Sequence, residues 1–179
     1  MPMKSLFSLY PHLMACPLAL VSWREPQGSV GWEVVEWVGV VCGRPSRLSF
    51  SLADQGMLRA ALAQAGEFAL SLPEDDRLCR LRSLCAGAKQ SGAALPQGFV
   101  FVDASRFEVP RLADCPVSFT CRLQDLRSNH GRLQVAGEVR GLHLQGQDYP
   151  LDGGIDVCSL QPFHPRWFQG QTPLEKQVS

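Results

Sequence analysis

Apolar positions in this chain recur with a period of two far more often than with a period of 3.6. Residues 18–23 form a short apolar run, and Arg24-Glu25-Pro26-Gln27-Gly28 supplies the Pro and Gly of a reversing turn. Residues 32–42 are rich in Val and Trp, the side chains that fill a pleated surface, and their length predicts a strand that bends. Gly39 is the expected bulge or close-approach point. Gly43-Arg44-Pro45 turns the chain, and Leu48, Phe50 and Leu52 alternate through the next strand. The period then changes. Met57, Leu58, Ala61, Leu62 and Ala65 fall on one helical face, with Asp54 as the expected N-cap and Gly66 as the stop.

Residues 67–72 alternate again as a strand. A second helix is expected after Pro73, with Glu74, Asp75 and Asp76 in its first turn, where the helix dipole favours negative charge. Residues 91–98 read as loop, and Val109-Pro110-Arg111 as extended chain. Residues 117–126 and 133–144 are long β-type runs joined by the turn Ser128-Asn129-His130-Gly131. Gly137 and Gly141 are placed to relieve curvature. A last short strand is expected at 155–160. The pattern predicts a mostly β fold, a barrel of six or more strands with two helices inserted on one side. Little βαβ alternation is present, which argues against a doubly wound sheet. One domain is expected over residues 1–168, followed by a polar tail at 169–179.

Composition narrows the classes of function. Lys+Arg and Asp+Glu both number 17 in 179 residues, so the net charge is zero and no nucleic-acid partner is indicated. No apolar run approaches the ~18–20 residues needed to span a bilayer, so no membrane partner is expected. Leu13-Met14-Ala15-Cys16 loosely resembles a lipoprotein cleavage site, but Pro11 and His12 interrupt a very short apolar stretch. Seven cysteines, an odd number without Cys-x-x-Cys, predict reduced thiols and a cytoplasmic protein. Cys115 and Cys121, an even distance apart, would share a face of one continuous strand. His12, His130, His143 and His164 have no ligand spacing, and no metal site is expected. Glycine-rich phosphate loops and nucleophile motifs are absent, so no catalytic side chain is assigned.

Several segments are similar to those of one family. Glu36-Trp37-Val38-Gly39-Val40-Val41-Cys42-Gly43-Arg44-Pro45 looks like A-W-x-G-x-V-C-S-x-P-P. Pro17-Leu18-Ala19-Leu20-Val21 looks like its first barrel strand, and Gly66-Glu67-Phe68 like its G-E-F. Cys115-Pro116-Val117 through Cys121, Gly137-Glu138-Val139 and His164-Pro165-Arg166-Trp167-Phe168 resemble S-P-V-x-x-x-C, G-E-V and H-G-x-Y-Y. In this order the segments resemble the flavin reductase-like, FMN-binding split β-barrel family and its flavoredoxin-like members, over residues 10–168.

The resemblance implies FMN bound at a homodimer interface, with NAD(P)H as hydride donor or with electrons passed onward through FMN. It implies Trp37, Gly39, Val40, Val41, Cys42, Arg44, His164 and Trp167 as cofactor-binding residues. Trp37 is read either as a ring stacked on flavin or as a core aromatic, and Cys42 either as a redox partner or as an inert thiol. Homodimerisation also fits Val34, Val35, Trp37, Val38, Val40 and Val41, which are apolar on more than one face.

The chain departs from the family at phosphate-binding positions. The family's Asn and Thr early in the second strand are Gly31 and Val34 here, and its R-x-x-R-x-S falls on Ala53, Gly56 and Leu58. A family Lys is not evident near Gln97. Arg44, Arg47 and Arg59 lie close in sequence to the lost positions. These departures predict weak FMN binding. They also support an alternative, a divergent member that has lost tight flavin binding and serves as a non-catalytic dimeric binding protein. A third reading is a different planar ligand.

Overall fold

The computed structural model describes residues 19–43, 45–73, 98–104, 107–113, 115–144 and 147–150. Among them are nine strands and one helix: β1 (Ala19–Arg24), β2 (Val30–Gly43), β3 (Ser46–Ala53), α1 (Gly56–Ala65), β4 (Glu67–Leu72), β5 (Phe101–Ala104), β6 (Phe107–Leu112), β7 (Val117–Asn129), β8 (Arg132–Leu144) and β9 (Gln147–Pro150). The expected second helix and the strand at 155–160 lie outside the described residues.

The strands run antiparallel in the order β3-β2-β1-β4-β7-β8-β9, and β3 also pairs with β8 from Arg47 to Ala53. That pairing closes β1, β2, β3, β8, β7 and β4 into a barrel with no free edge among them. The mostly β split barrel read from the sequence is the observed architecture. Its interior is filled from every wall by Val21, Trp23, Val35, Leu48, Phe50, Phe68, Leu70, Phe119, Cys121, Leu133 and Val135, all buried. Phe50 and Phe68 meet edge to face, with ring centroids 5.4 Å apart.

Four bulges in the barrel wall interrupt the period of two. On β2, Glu36 faces Ser51 but Gly39 faces Ser49, so the strand gains a residue there; a further shift lies between Val40 and Cys42. On β8, Thr120 faces Gly141 while Cys121 faces Val139, leaving Arg140 as the extra residue. On β7, Gln124 is extra in the same way. Each extra residue swaps which side chains point inward. Val35 and Val38 both meet the core, as do Val139 and Leu142, and Leu123 and Leu126.

Helix α1 carries Leu58 and Leu62 into the barrel core. Gly66 ends it in the left-handed conformation (φ 66°), and its N–H donates to Leu62 O at 3.1 Å. Two expectations at this helix fail. The N-cap is Gln55, without a side-chain cap bond, because the Asp54 carboxylate accepts the Ser128 hydroxyl instead. Met57 is 82% exposed rather than core-facing, since Leu58 and Leu62, flanked by the half-buried Ala61 and Ala65, define the buried face.

A second apolar cluster lies outside the barrel wall, where Leu20 and Trp32 meet Phe99, Leu112 and Cys115 beneath the β5–β6 hairpin. Buried hydroxyls fasten this layer. Ser22 Oγ donates to Pro110 O (2.6 Å), and Ser71 Oγ accepts from Leu112 N–H and from Ser118 Oγ (both 3.1 Å). Cys115 and Cys121 therefore do not share a face. Cys115 precedes β7 and joins the outer cluster, whereas Cys121 is inside the barrel; both are free thiols. No helix among the described residues is long and apolar enough to cross a membrane.

Candidate flavin site on the outer face of β2, β3 and β8

The outward residues of β3 are Arg47, Ser49, Ser51 and Ala53, alternating with core Leu48, Phe50 and Leu52. Across the closing pair stand Glu138, Ala136, Gln134 and Arg132 of β8. On the other side β2 contributes Gly39 opposite Ser49. Gly39, Ser49 and Ala136 thus form one row over three strands, and all three residues are small. Gly39 is exposed, and a Cβ built on it meets nothing within 4 Å. The row forms a shallow floor on which a planar group can lie against backbone.

Polar groups rim this floor. Arg132 donates from Nε to Ser51 Oγ and from Nη2 to Ser51 O, both at 3.2 Å. On the other side Glu138 accepts from Arg140 Nη1 (3.1 Å) and Gln124 Nε2 (3.3 Å). Both donors are bulge residues, so two irregular points of the wall, on β7 and β8, converge on one carboxylate. Among the described residues no cluster of His, Cys, Asp and Glu could hold a metal ion.

Of the residues the resemblance implies, Trp37, Gly39, Val40, Val41 and Cys42 all lie on β2 between and around its two register shifts. Val40 is in register with Leu48, and Cys42 with Arg47. Arg44, His164 and Trp167 lie outside the described residues. Sequence reasoning missed Ser49, Ser51, Ala136, Arg132 and Glu138. Alternation in β3 marks Ser49 and Ser51 as outward, but nothing in the sequence shows that β8 lies beside β3.

The phosphate-position departures sort into three kinds. Gly31 is covered: a Cβ there would stand 2.3 Å from Trp23 Cε2 and 2.6 Å from Glu25 Oε1, and Trp23 Nε1 donates to that oxygen at 2.7 Å. Val34 packs against the outer cluster, on the face of β2 opposite Gly31, so the two positions cannot converge on one group. Leu58 is in the core, while Ala53 and Gly56 remain exposed at the β3–α1 junction. Two ionisable groups in the wall are shifted. Burial pushes the Glu33 carboxyl up, partly offset by the Val34 N–H. Burial also pushes the Cys121 thiol up, which leaves it an inert hydrophobe.

The floor, its open glycine and its guanidinium rim fit the plane and anionic chain of a flavin. Comparison with known proteins identifies the fold. The fold is similar to the 2-nitrobenzoate 2-nitroreductase of Pseudomonas fluorescens (TM-score 0.64, 19% identity, covering 80% of this chain and 72% of that one). It is also similar to the styrene monooxygenase flavin reductase of Pseudomonas putida S12 (0.59, 18%, 80% and 95%). A third similar structure is flavoredoxin from Methanosarcina acetivorans (0.61, 17%, 80% and 75%). No curated protein sequence matches this chain. A model of the flavin reductase-like domain matches residues 12–153, which include the whole barrel, and the chain belongs to the flavin reductase-like domain family.

Proposed function

We propose that the chain binds FMN over the Gly39–Ser49–Ala136 floor and serves flavin-dependent oxidoreduction as a cytoplasmic homodimer. A bound flavin supplies the redox chemistry, accepting hydride from NAD(P)H or passing electrons onward. The protein supplies placement: Gly39 admits the ring, the serines of β3 offer hydroxyls, and the arginines offer positive charge. The carrying observation is that the bulged segment of β2 that resembles the family's flavin-binding motif presents an exposed glycine beside two other small residues. Similarity to a flavin reductase and a flavoredoxin supports this reading.

Trp23 over Gly31 favours a second reading, because it fills the place of a family polar contact. In that reading the chain is a dimeric binding protein without catalysis. The visible spectrum of the purified protein, before and after FMN is added and the excess removed, separates the two. Retained bands of oxidised flavin, with NADH or NADPH oxidised on addition, support the first. A protein that stays colourless and oxidises neither cofactor eliminates it. Light scattering tests the homodimer, and a stable monomer at micromolar concentration would remove that part of the proposal.

A further inference from the structure

Resting on the flavin reading, we propose that Arg47, Arg122 and Arg140, gathered around Glu138, form the subsite that takes the flavin's phosphate. Glu138 of β8 is directly opposite Arg47 of β3 on one side and Arg122 of β7 on the other. Directly opposed residues on adjacent strands point to the same face, so Arg47 and Arg122 flank Glu138 on the outer wall beside the Arg140 that it binds. Both carboxylate oxygens of Glu138 are already engaged, Oε1 by Arg140 and Oε2 by Gln124. Among the described residues neither Arg47 nor Arg122 makes a side-chain hydrogen bond or ion pair. Arg140 Nε is buried and also without a hydrogen-bond partner. An ordinary alternating-charge row would spend its arginines on Glu138; this one leaves two of them free. Glu67 lies beyond Arg122 on β4 and limits the excess charge on that side.

The place is right for a ligand that starts on the floor. Arg47 is two residues from Ser49 along β3, about 6.6 Å, and Arg122 lies two strands over from β3, about 9.6 Å. A ring over Gly39, Ser49 and Ala136 puts a short polyol chain within reach of both guanidinium groups. Arginine suits the task because its fork donates in pairs to phosphate oxygens. The two free arginines are exposed, so their pull on an anion is screened by salt.

Quenching of flavin fluorescence in parallel titrations with FMN and riboflavin tests the subsite. The unmodified protein should prefer FMN, and inorganic phosphate should compete with FMN and not with riboflavin. The double variant Arg47→Gln/Arg122→Gln should weaken FMN roughly tenfold, about the effect of 1.4 kcal/mol, and leave riboflavin unchanged. Arg122→Glu should weaken FMN further, and the melting temperature should stay close to that of the parent because both side chains are exposed. Equal affinity for both flavins in the unmodified protein would overturn the subsite and leave the flavin reading standing. Binding of neither flavin would overturn both. Unchanged FMN affinity with a raised KM for NADPH, but not NADH, would assign the arginines to the nicotinamide cofactor and overturn the proposal.

Discussion

The indole of Trp23 lies over Gly31, and a Cβ at Gly31 would stand 2.3 Å from Trp23 Cε2. The two residues face each other across the β1–β2 ladder, and the indole N–H is held by Glu25. Gly31 is therefore a packing requirement of a fully buried tryptophan, rather than a lost polar side chain alone.

That relationship gives the first prediction. Gly31→Ala should destabilise by about 1–3 kcal/mol, because the ring is hemmed in and overpacking forces strain. In a Trp23→Leu background the same change should cost much less. A double-mutant cycle by urea denaturation measures the difference. Additive effects would show that the ring moves aside freely.

Two other glycines should behave oppositely. A Cβ on Gly137 would come within 2.5 Å of the Phe68 ring, which is fully buried, so Gly137→Ala should lower stability by ~1–3 kcal/mol. Gly39 has open space above it, so Gly39→Leu should change stability by no more than about 0.5 kcal/mol. It should nevertheless cost most of the flavin affinity, by placing a side chain on the floor. Thermal melts and flavin titrations on both variants check this. Full flavin binding by Gly39→Leu would place the ring elsewhere.

The barrel was readable because most of its strands alternate cleanly and its turns carry Pro, Gly and Asn. Leu48, Phe50 and Leu52 point inward as their spacing implies. The bulge beside Gly39 was marked by its glycine, and β2 gains a residue there, but the other bulges were not readable as such. At Arg140 the inward set changes from odd to even numbers; Gly141 beside it reads as a point of curvature, but nothing in the sequence makes Arg140 the extra residue. The β5–β6 pairing was also missed, since Pro110 within a short run reads as extended chain only. The site was half legible. Its β2 segment is marked by family-like residues in consecutive order. Its β3 and β8 side comes from a closure between strands some 80 residues apart, which leaves no local trace.

Glu33 gives a pH prediction. Its carboxyl is pushed up by burial, so the folded protein holds a proton there at pH values where the unfolded chain has released it. Its stabilising contribution is whole below the unfolded value of about 4.3 and is lost as pH rises through the higher folded value. Glu33→Gln should remove that dependence. The variant should melt higher than the parent at pH 7 and alike at pH 3.5. A variant that melts lower at pH 7 would mean that the ionised carboxylate has a favourable partner.

The two ends of β3 offer the last prediction. Ala53 and Gly56 stand where the family carries arginines, at the α1 end, whereas Arg47 stands six residues away. Six residues of strand span about 20 Å, too far for one phosphate to engage both ends. The α1 end also carries Asp54, held by Ser128, and Arg132 directly opposite Ala53. Added arginines there meet one like charge and one opposite charge, with no net gain in attraction for an anion. Ala53→Arg/Gly56→Arg should therefore leave the ratio of FMN to riboflavin affinity within about threefold of the parent, less than the tenfold worth 1.4 kcal/mol. Fluorescence titration of both flavins reads this directly. Selective tightening of FMN by tenfold or more would put the phosphate at the helix end and remove the case for Arg47 and Arg122.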